Sequence, residues 1–111
     1  MLNNNKAIDV EENIGCIAEA MAIIGNKWTA LILRDFFKSD QRFCQLEKSI
    51  PDINPRILSQ RLRFLEFNDI ISSKSKKSCA NRKVYSLTKK GWDLLPILQS
   101  MAVWGQSYNS L

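Results

Sequence analysis

The 111-residue sequence predicts a mainly α domain that carries one small β-hairpin. Three observations predict it. Apolar residues recur at helical spacing in five segments. Cap and breaker residues fall between those segments. Two short, partly β-branched runs, Ile70-Ile71 and Val84-Tyr85-Ser86-Leu87, flank a polar, basic connection.

The elements follow in order. Residues 1–13, MLNNNKAIDVEEN, read as a flexible arm. A first helix spans about Ile14–Ile24, with Ile17, Ala20, Met21 and Ile24 on one face and Gly25 as terminator. Asn26 then caps a second helix, KWTALILRDFFKS, apolar on most sides as a buried central helix would be. A short third helix fits Phe43–Ser49, with Phe43, Leu46 and Ile50 inward, before Pro51-Asp52 breaks it. Cys44 reads as part of that inner face.

Asn54-Pro55 supplies an N-cap followed by proline at the first helical position, where its missing N–H costs nothing. The fourth helix, Asn54–Phe67, buries Leu58, Leu62 and Leu65. At 100° per residue, Arg56, Gln60, Arg63 and Phe67 fall opposite, with Ser59 and Glu66 beside them. The hairpin follows. Thr88 caps a last helix, Lys89 to about Tyr108, which Pro96 kinks or breaks near its first turns. A short helix, a turn and a longer helix with a basic outer face, then a hairpin, describe a winged helix-turn-helix. Residues 14–111 form that single domain, with the helix-turn-helix at 41–68, the wing at 70–87 and the last helix at 88–108.

Composition narrows the function. The net charge of +5 is unevenly placed. Residues 1–25 hold one base against four acids, whereas residues 54–83 hold eight bases against two acids. That concentration favours a polyanion, nucleic acid before a membrane surface. No apolar run approaches the roughly 20 residues of a membrane span, and the acidic start lacks the apolar core of a signal peptide, so the expected location is the cytoplasm. With no histidine, a Ser-His-Asp triad is excluded. Cys16, Cys44 and Cys79 lie too far apart for a CxxC metal pair. No phosphate loop is present, and neither an enzyme nor a cofactor or metal is expected.

A helix fits the major groove of B-DNA and reads base edges from its exposed polar face. Asn54, Arg56, Ser59, Gln60 and Arg63 meet that requirement, since Arg pairs with guanine and Gln with adenine in bidentate fashion. Taken alone, such a face is also an ordinary solvated surface. The basic hairpin beside it favours the DNA reading. Its Lys74, Lys76, Lys77, Arg82 and Lys83 suit phosphates or the minor groove, or merely guard a strand edge. Gln41 and Arg42 stand where the third helix could meet phosphate.

The terminal helices suggest a separate role. Trp92, Leu95, Leu98, Met101 and Trp104, with Ile17 and Met21, supply more apolar surface than one small domain needs. They are expected to form a homodimer interface, which would place two recognition helices on successive half-sites of double-stranded DNA. The alternative is that they close a monomer core. A winged-helix protein-interaction module, or an RNA-binding one, is the rival to an operator binder.

Several motifs carry a family resemblance. They are Cys16, Gly25-Asn26-Lys27-Trp28-Thr29, Ile32-Leu33-Arg34, Arg42-Phe43, Leu46, Ile53, Leu58, Leu62-Arg63, Leu65-Glu66, Tyr85-Ser86-Leu87-Thr88, Gly91 and Trp104. Over about residues 14–105 the chain resembles the HxlR-type winged helix regulators, relatives of the MarR group. The resemblance implies a dimeric, cytoplasmic transcription factor at inverted repeats near promoters. It also implies, as in several members, a thiol switch at a cysteine near the start of the first helix, which senses electrophiles or disulfide stress. Cys16 holds that position, preceded by Gly15 where proline is usual. The other reading of Cys16 is a small hydrophobe packed at an interface. The small-molecule effector is not named by the sequence.

Overall fold

The computed structural model describes residues 8–76 and 79–109, apart from the side chains of 76–82. Six helices and two strands follow as α1 (Ile14–Ile24), α2 (Lys27–Phe36), α3 (Phe43–Ser49), α4 (Pro55–Phe67), β1 (Ile71–Lys76), β2 (Cys79–Leu87), α5 (Lys89–Trp92) and α6 (Leu95–Tyr108).

Local chemistry sets the helix limits. Gly25 closes α1, its N–H donating to Met21 O at 2.7 Å. Asn26 starts α2, its Oδ1 accepting from the N–H groups of Trp28 at 2.8 Å and Thr29 at 3.3 Å. Asn54 does the same for α4, accepting from Ile57 N–H at 2.8 Å, with Pro55 at the first helical position. The far end of α4 is a Schellman motif. Ile70 N–H donates to Leu65 O at 2.9 Å and Asp69 N–H to Glu66 O at 3.0 Å. Asp69 takes the left-handed conformation this requires, at φ 61°. Leu65 and Ile70, the two hydrophobic partners of the motif, are both buried.

One core joins α2, α3, α4 and the start of the hairpin. Ile32, Leu33 and Phe36 meet Leu46 and Ile50, then Leu58, Leu62 and Leu65, then Ile70 and Ile71. Fully burying one such side chain contributes about 1.5–3 kcal/mol. Gly91 docks α5 against this core so closely that a Cβ there would run into Ile70 O and the Leu87 side chain.

Two features differ from the sequence reading, and a third decides between its alternatives. The strands are longer than their β-branched runs, because antiparallel pairing carries the ladder into polar residues. Ile71 pairs with Leu87 and Ser75 with Lys83, and a bulge follows at Ser75/Lys76. Of the kink or break expected at Pro96, the structure has the break, and the last helix is two helices. Pro96 lacks an N–H and tolerates only the first turn of a helix, so the chain restarts at Leu95. Cys44, expected in the core, is exposed, because the inner face of the seven-residue α3 is filled by Leu46 and Phe43.

Among the described residues, no single helix is long and apolar enough to cross a membrane.

Candidate nucleic-acid interface

The interface is built on α4. Leu58, Leu62 and Leu65 lock its inner face into the core, so its outer face has one orientation. That outer face exposes Arg56, Gln60, Arg63 and Phe67, four residues in a single stripe, with Ser59 half-buried at the side. The turn before it is held by Ile50 and Ile53, both buried, and by Asp52 in a left-handed conformation at φ 68°. Asn54 is exposed, but its Oδ1 is committed to the helix cap. Only its amide group remains to meet a ligand.

Arg61, on the same helix, behaves differently from its neighbours. Its Nε and Nη2 donate to Thr29 Oγ1 at 3.2 and 2.8 Å, and its guanidinium lies 4.5 Å from the centre of the Phe64 ring. Partial burial lowers its pKa from the ordinary arginine value. Arg61 therefore ties the recognition helix to α2, where Thr29 is wholly buried. The only hint in the sequence is a threonine on the apolar helix α2.

The wing is fastened to α4 by a second polar tie. Ser73 Oγ on β1 donates to Glu66 Oε2 at 2.7 Å. Tyr85, opposite Ser73 on β2, has its phenol pKa raised, first by burial and then by the negative charge of Glu66. Lys74 and Lys83 stand exposed on the two strands. Lys77 lies outside the described residues. Lys76 and Arg82 lie on the strands, with side chains outside the description, as has Cys79.

Gln41 is corrected from a phosphate contact to a structural residue. Its backbone pairs with Tyr85 in both directions, at 2.9 and 2.8 Å, as a one-residue third strand. Its side chain is buried, and Nε2 donates to Asp35 O at 3.0 Å and Ser39 O at 3.1 Å. A satisfied buried carboxamide has nothing to offer a phosphate. Arg42 is half-buried at the start of α3, where its N–H donates to Gln45 Oε1 at 2.8 Å. Asp35, also buried, accepts from Ser49 Oγ and joins α2 to the end of α3.

The terminal residues are arranged otherwise. Ile17, Met21, Trp92, Met101 and Trp104 are exposed. Leu95 and Leu98 are half-buried, and Leu98 packs on the core of its own chain. Trp92 also meets Phe37, with ring centres 5.8 Å apart. An open apolar groove of about 290 Å³ runs between α2 and α6, lined by Ala30, Arg34, Phe37, Leu95, Leu98 and Gln99. Cys16 is a free, exposed thiol in the first turn of α1.

A helix locked to its core by one face, outwardly cationic and amide-bearing, beside a basic hairpin, defines the winged helix-turn-helix class of DNA-binding domains. The comparisons with known proteins agree. Residues 23–111 match the family described as HxlR-like helix-turn-helix, and the chain belongs to that family. It is 33% identical over 100 residues to an HTH-type transcriptional regulator of Methanothermobacter thermautotrophicus, covering 90% of this chain and 76% of that one. It is 29% identical over 89 residues to the HTH-type transcriptional regulator YodB of Bacillus subtilis, covering 80% of each. The reduced form of YodB superposes with a TM-score of 0.77 at 28% identity, over 84% of this chain and 91% of that one. YodB has also been solved bound to quinone, where the TM-score is 0.70, the identity 28% and the coverage 83% and 96%. The redox regulator HypR in its reduced form gives 0.78 at 29% identity, over 85% and 93%. The chain is thus a transcriptional regulator of the HxlR type, and the family implies DNA binding.

Proposed function

We propose that two copies of this chain, held together through α1 and α6, place their α4 helices in successive major grooves of an inverted-repeat operator. The reading is supported chiefly by the exposed stripe of Arg56, Gln60 and Arg63 on a helix whose other face is buried and whose two ends are capped. Arg56 and Arg63 suit guanine and Gln60 suits adenine. Lys74 and Lys83, exposed on the wing strands, suit the adjacent phosphates, which add salt-dependent affinity, and the same segment of the sequence also holds Lys76, Lys77 and Arg82. The homodimer is supported by exposed apolar residues on both terminal helices, among them Met21 at 54% and Trp104 at 68%. Such a regulator works in the cytoplasm, without catalysis and without a cofactor. Among the described residues, no group of three or more potential metal ligands is found.

The signal read is electrophile or thiol stress, with Cys16 as the responding thiol. Cys16 is exposed, and relatives of this chain include a redox regulator and a protein crystallised with quinone.

The test is selection of sheared genomic DNA by the purified protein at near-physiological salt, with and without a thiol oxidant. The expected result is enrichment of a two-fold symmetric site, lost on oxidation and retained on oxidation of Cys16→Ser. Arg63→Ala is expected to weaken binding to that site by about 1–3 kcal/mol and to spare random DNA. Enrichment of no sequence would overturn operator binding and leave a protein-interaction or RNA-binding module.

A further inference from the structure

Phe67 completes the outward stripe of α4 with 86% of its surface exposed. Among the described residues, the other exposed large apolar side chains lie on residues 8–21 or 92–108. Among the described residues between those segments, Phe67 stands by itself. The core does not use it, because Leu58, Leu62 and Leu65 fill the opposite face. Around the helix axis it lies within about 20° of Arg56 and Gln60 and about 40° of Arg63. Along the axis it lies about 16 Å beyond Arg56, a length of roughly five base-pair steps. A helix that lies in the major groove over Arg56 and Gln60 therefore carries Phe67 along the same groove.

A phenyl ring in water gains free energy only by meeting apolar surface. In the major groove the apolar group on a base edge is the thymine 5-methyl, and Phe is among the residues that contact it. The surroundings favour DNA over a protein partner. Arg63 lies one turn before Phe67, and Lys90 Nζ donates to the carbonyl of Asn68, the next residue, at 2.9 Å. A protein-docking patch would need contiguous exposed apolar surface. No other large apolar side chain on α2, α3 or α4 is exposed.

We propose that Phe67 is a specificity-determining residue that packs on a thymine methyl at one position of each operator half-site. The proposal rests on operator binding through α4, and its test separates the two. The probe is the duplex that the wild-type protein selects from genomic DNA, with each thymine replaced in turn by uracil. Uracil keeps the Watson–Crick edge and removes only the methyl. At one thymine per half-site, replacement is expected to weaken wild-type binding about fourfold, the worth of one methyl-sized group returned to water. Phe67→Ala is expected to bind thymine and uracil equally there, and Phe67→Leu to keep part of the discrimination. Both variants are expected to keep the wild-type circular dichroism and melting temperature, since the ring packs on nothing in the core. Selection of a sequence with no uracil-sensitive thymine, or with a sensitivity that Phe67→Ala leaves intact, overturns the role of Phe67 and spares operator binding. A Phe67→Ala protein that keeps its DNA preference but fails to regulate transcription places Phe67 against a protein and also overturns it. Selection of no sequence at all overturns both.

Discussion

The helices between Lys27 and Phe67 and the helices at the two ends of the chain treat their apolar residues in opposite ways. α2 and α4 bury six large side chains to 2% exposure or less. α6 carries Leu95, Ile97, Leu98, Met101, Val103 and Trp104, yet buries none of its fourteen residues. α1 buries only Ile24. The central unit also satisfies its polar groups internally, through Arg61 on Thr29, Gln41 on Asp35 and Ser73 on Glu66. The difference separates two tasks. The unit that presents α4 and the wing is complete in one copy, so the exposed stripe has fixed geometry. The ends leave their apolar faces open, as the proposed pairing of two such units requires.

The largest expected effect tests this contrast directly. Leu58→Ala opens a cavity in the closed half and is expected to cost about 2–5 kcal/mol in urea unfolding. Trp104→Ala is expected to leave the helical spectrum intact. Its signature is a melting temperature that no longer depends on protein concentration, because an interface contact has been lost. If Trp104→Ala costs as much as Leu58→Ala at every dilution, α6 belongs to a monomer core and the contrast collapses.

Much of the closed half is legible in the sequence because its signals are local. Gly25-Asn26 separates α1 from α2, and Asn54-Pro55 opens α4, since caps act on neighbours three residues away. The outward stripe of α4 follows from periodicity alone. The rest depends on partners far along the chain. Gln41 looks like a surface residue until Tyr85 takes its backbone into a strand. Arg61 falls outside that stripe, and periodicity does not show its partner, Thr29, 32 residues earlier. Cys44 looks internal because it neighbours Phe43, though seven residues of helix offer one narrow inner face. In the open half, the apolar residues are legible and their exposure is not, because periodicity cannot tell a core face from an interface.

Asp69 offers a smaller and cleaner change within the closed half. It is held left-handed at φ 61° by the two Schellman hydrogen bonds that end α4. A side chain there is strained, and a carboxylate sits poorly at the negative end of a helix. Asp69→Gly is expected to raise stability by about 1 kcal/mol in denaturant unfolding. DNA affinity should stay unchanged, since α4 and its stripe do not move. A loss of stability would mean that the Asp69 side chain holds the wing to the helix in a way its backbone does not.

The smallest expected effect lies at the junction of α4 with the wing. Tyr85 is half-buried, and its phenol is raised first by that burial and then by Glu66. The sign follows from the preference for the neutral form. The folded chain holds the phenolic proton more tightly than the unfolded chain, whose tyrosines ionise near about 10. Stability from this group is therefore complete below about pH 10 and is lost as pH climbs through the raised folded value. An ultraviolet titration of phenolate should show a component that ionises above the ordinary tyrosine range, and Tyr85→Phe should delete it. Glu66→Gln should bring that component down only part of the way, because the carboxylate is the lesser of the two causes. The same substitution weakens the tie to Ser73 Oγ, which donates to a carboxylate more strongly than to an amide. A wing loosened in this way should lose phosphate contacts and so flatten the salt dependence of DNA binding. A late component that Glu66→Gln lowers, with an unchanged salt slope, would show that the wing keeps its place without the carboxylate. The closed half would then be fastened there by backbone pairing alone.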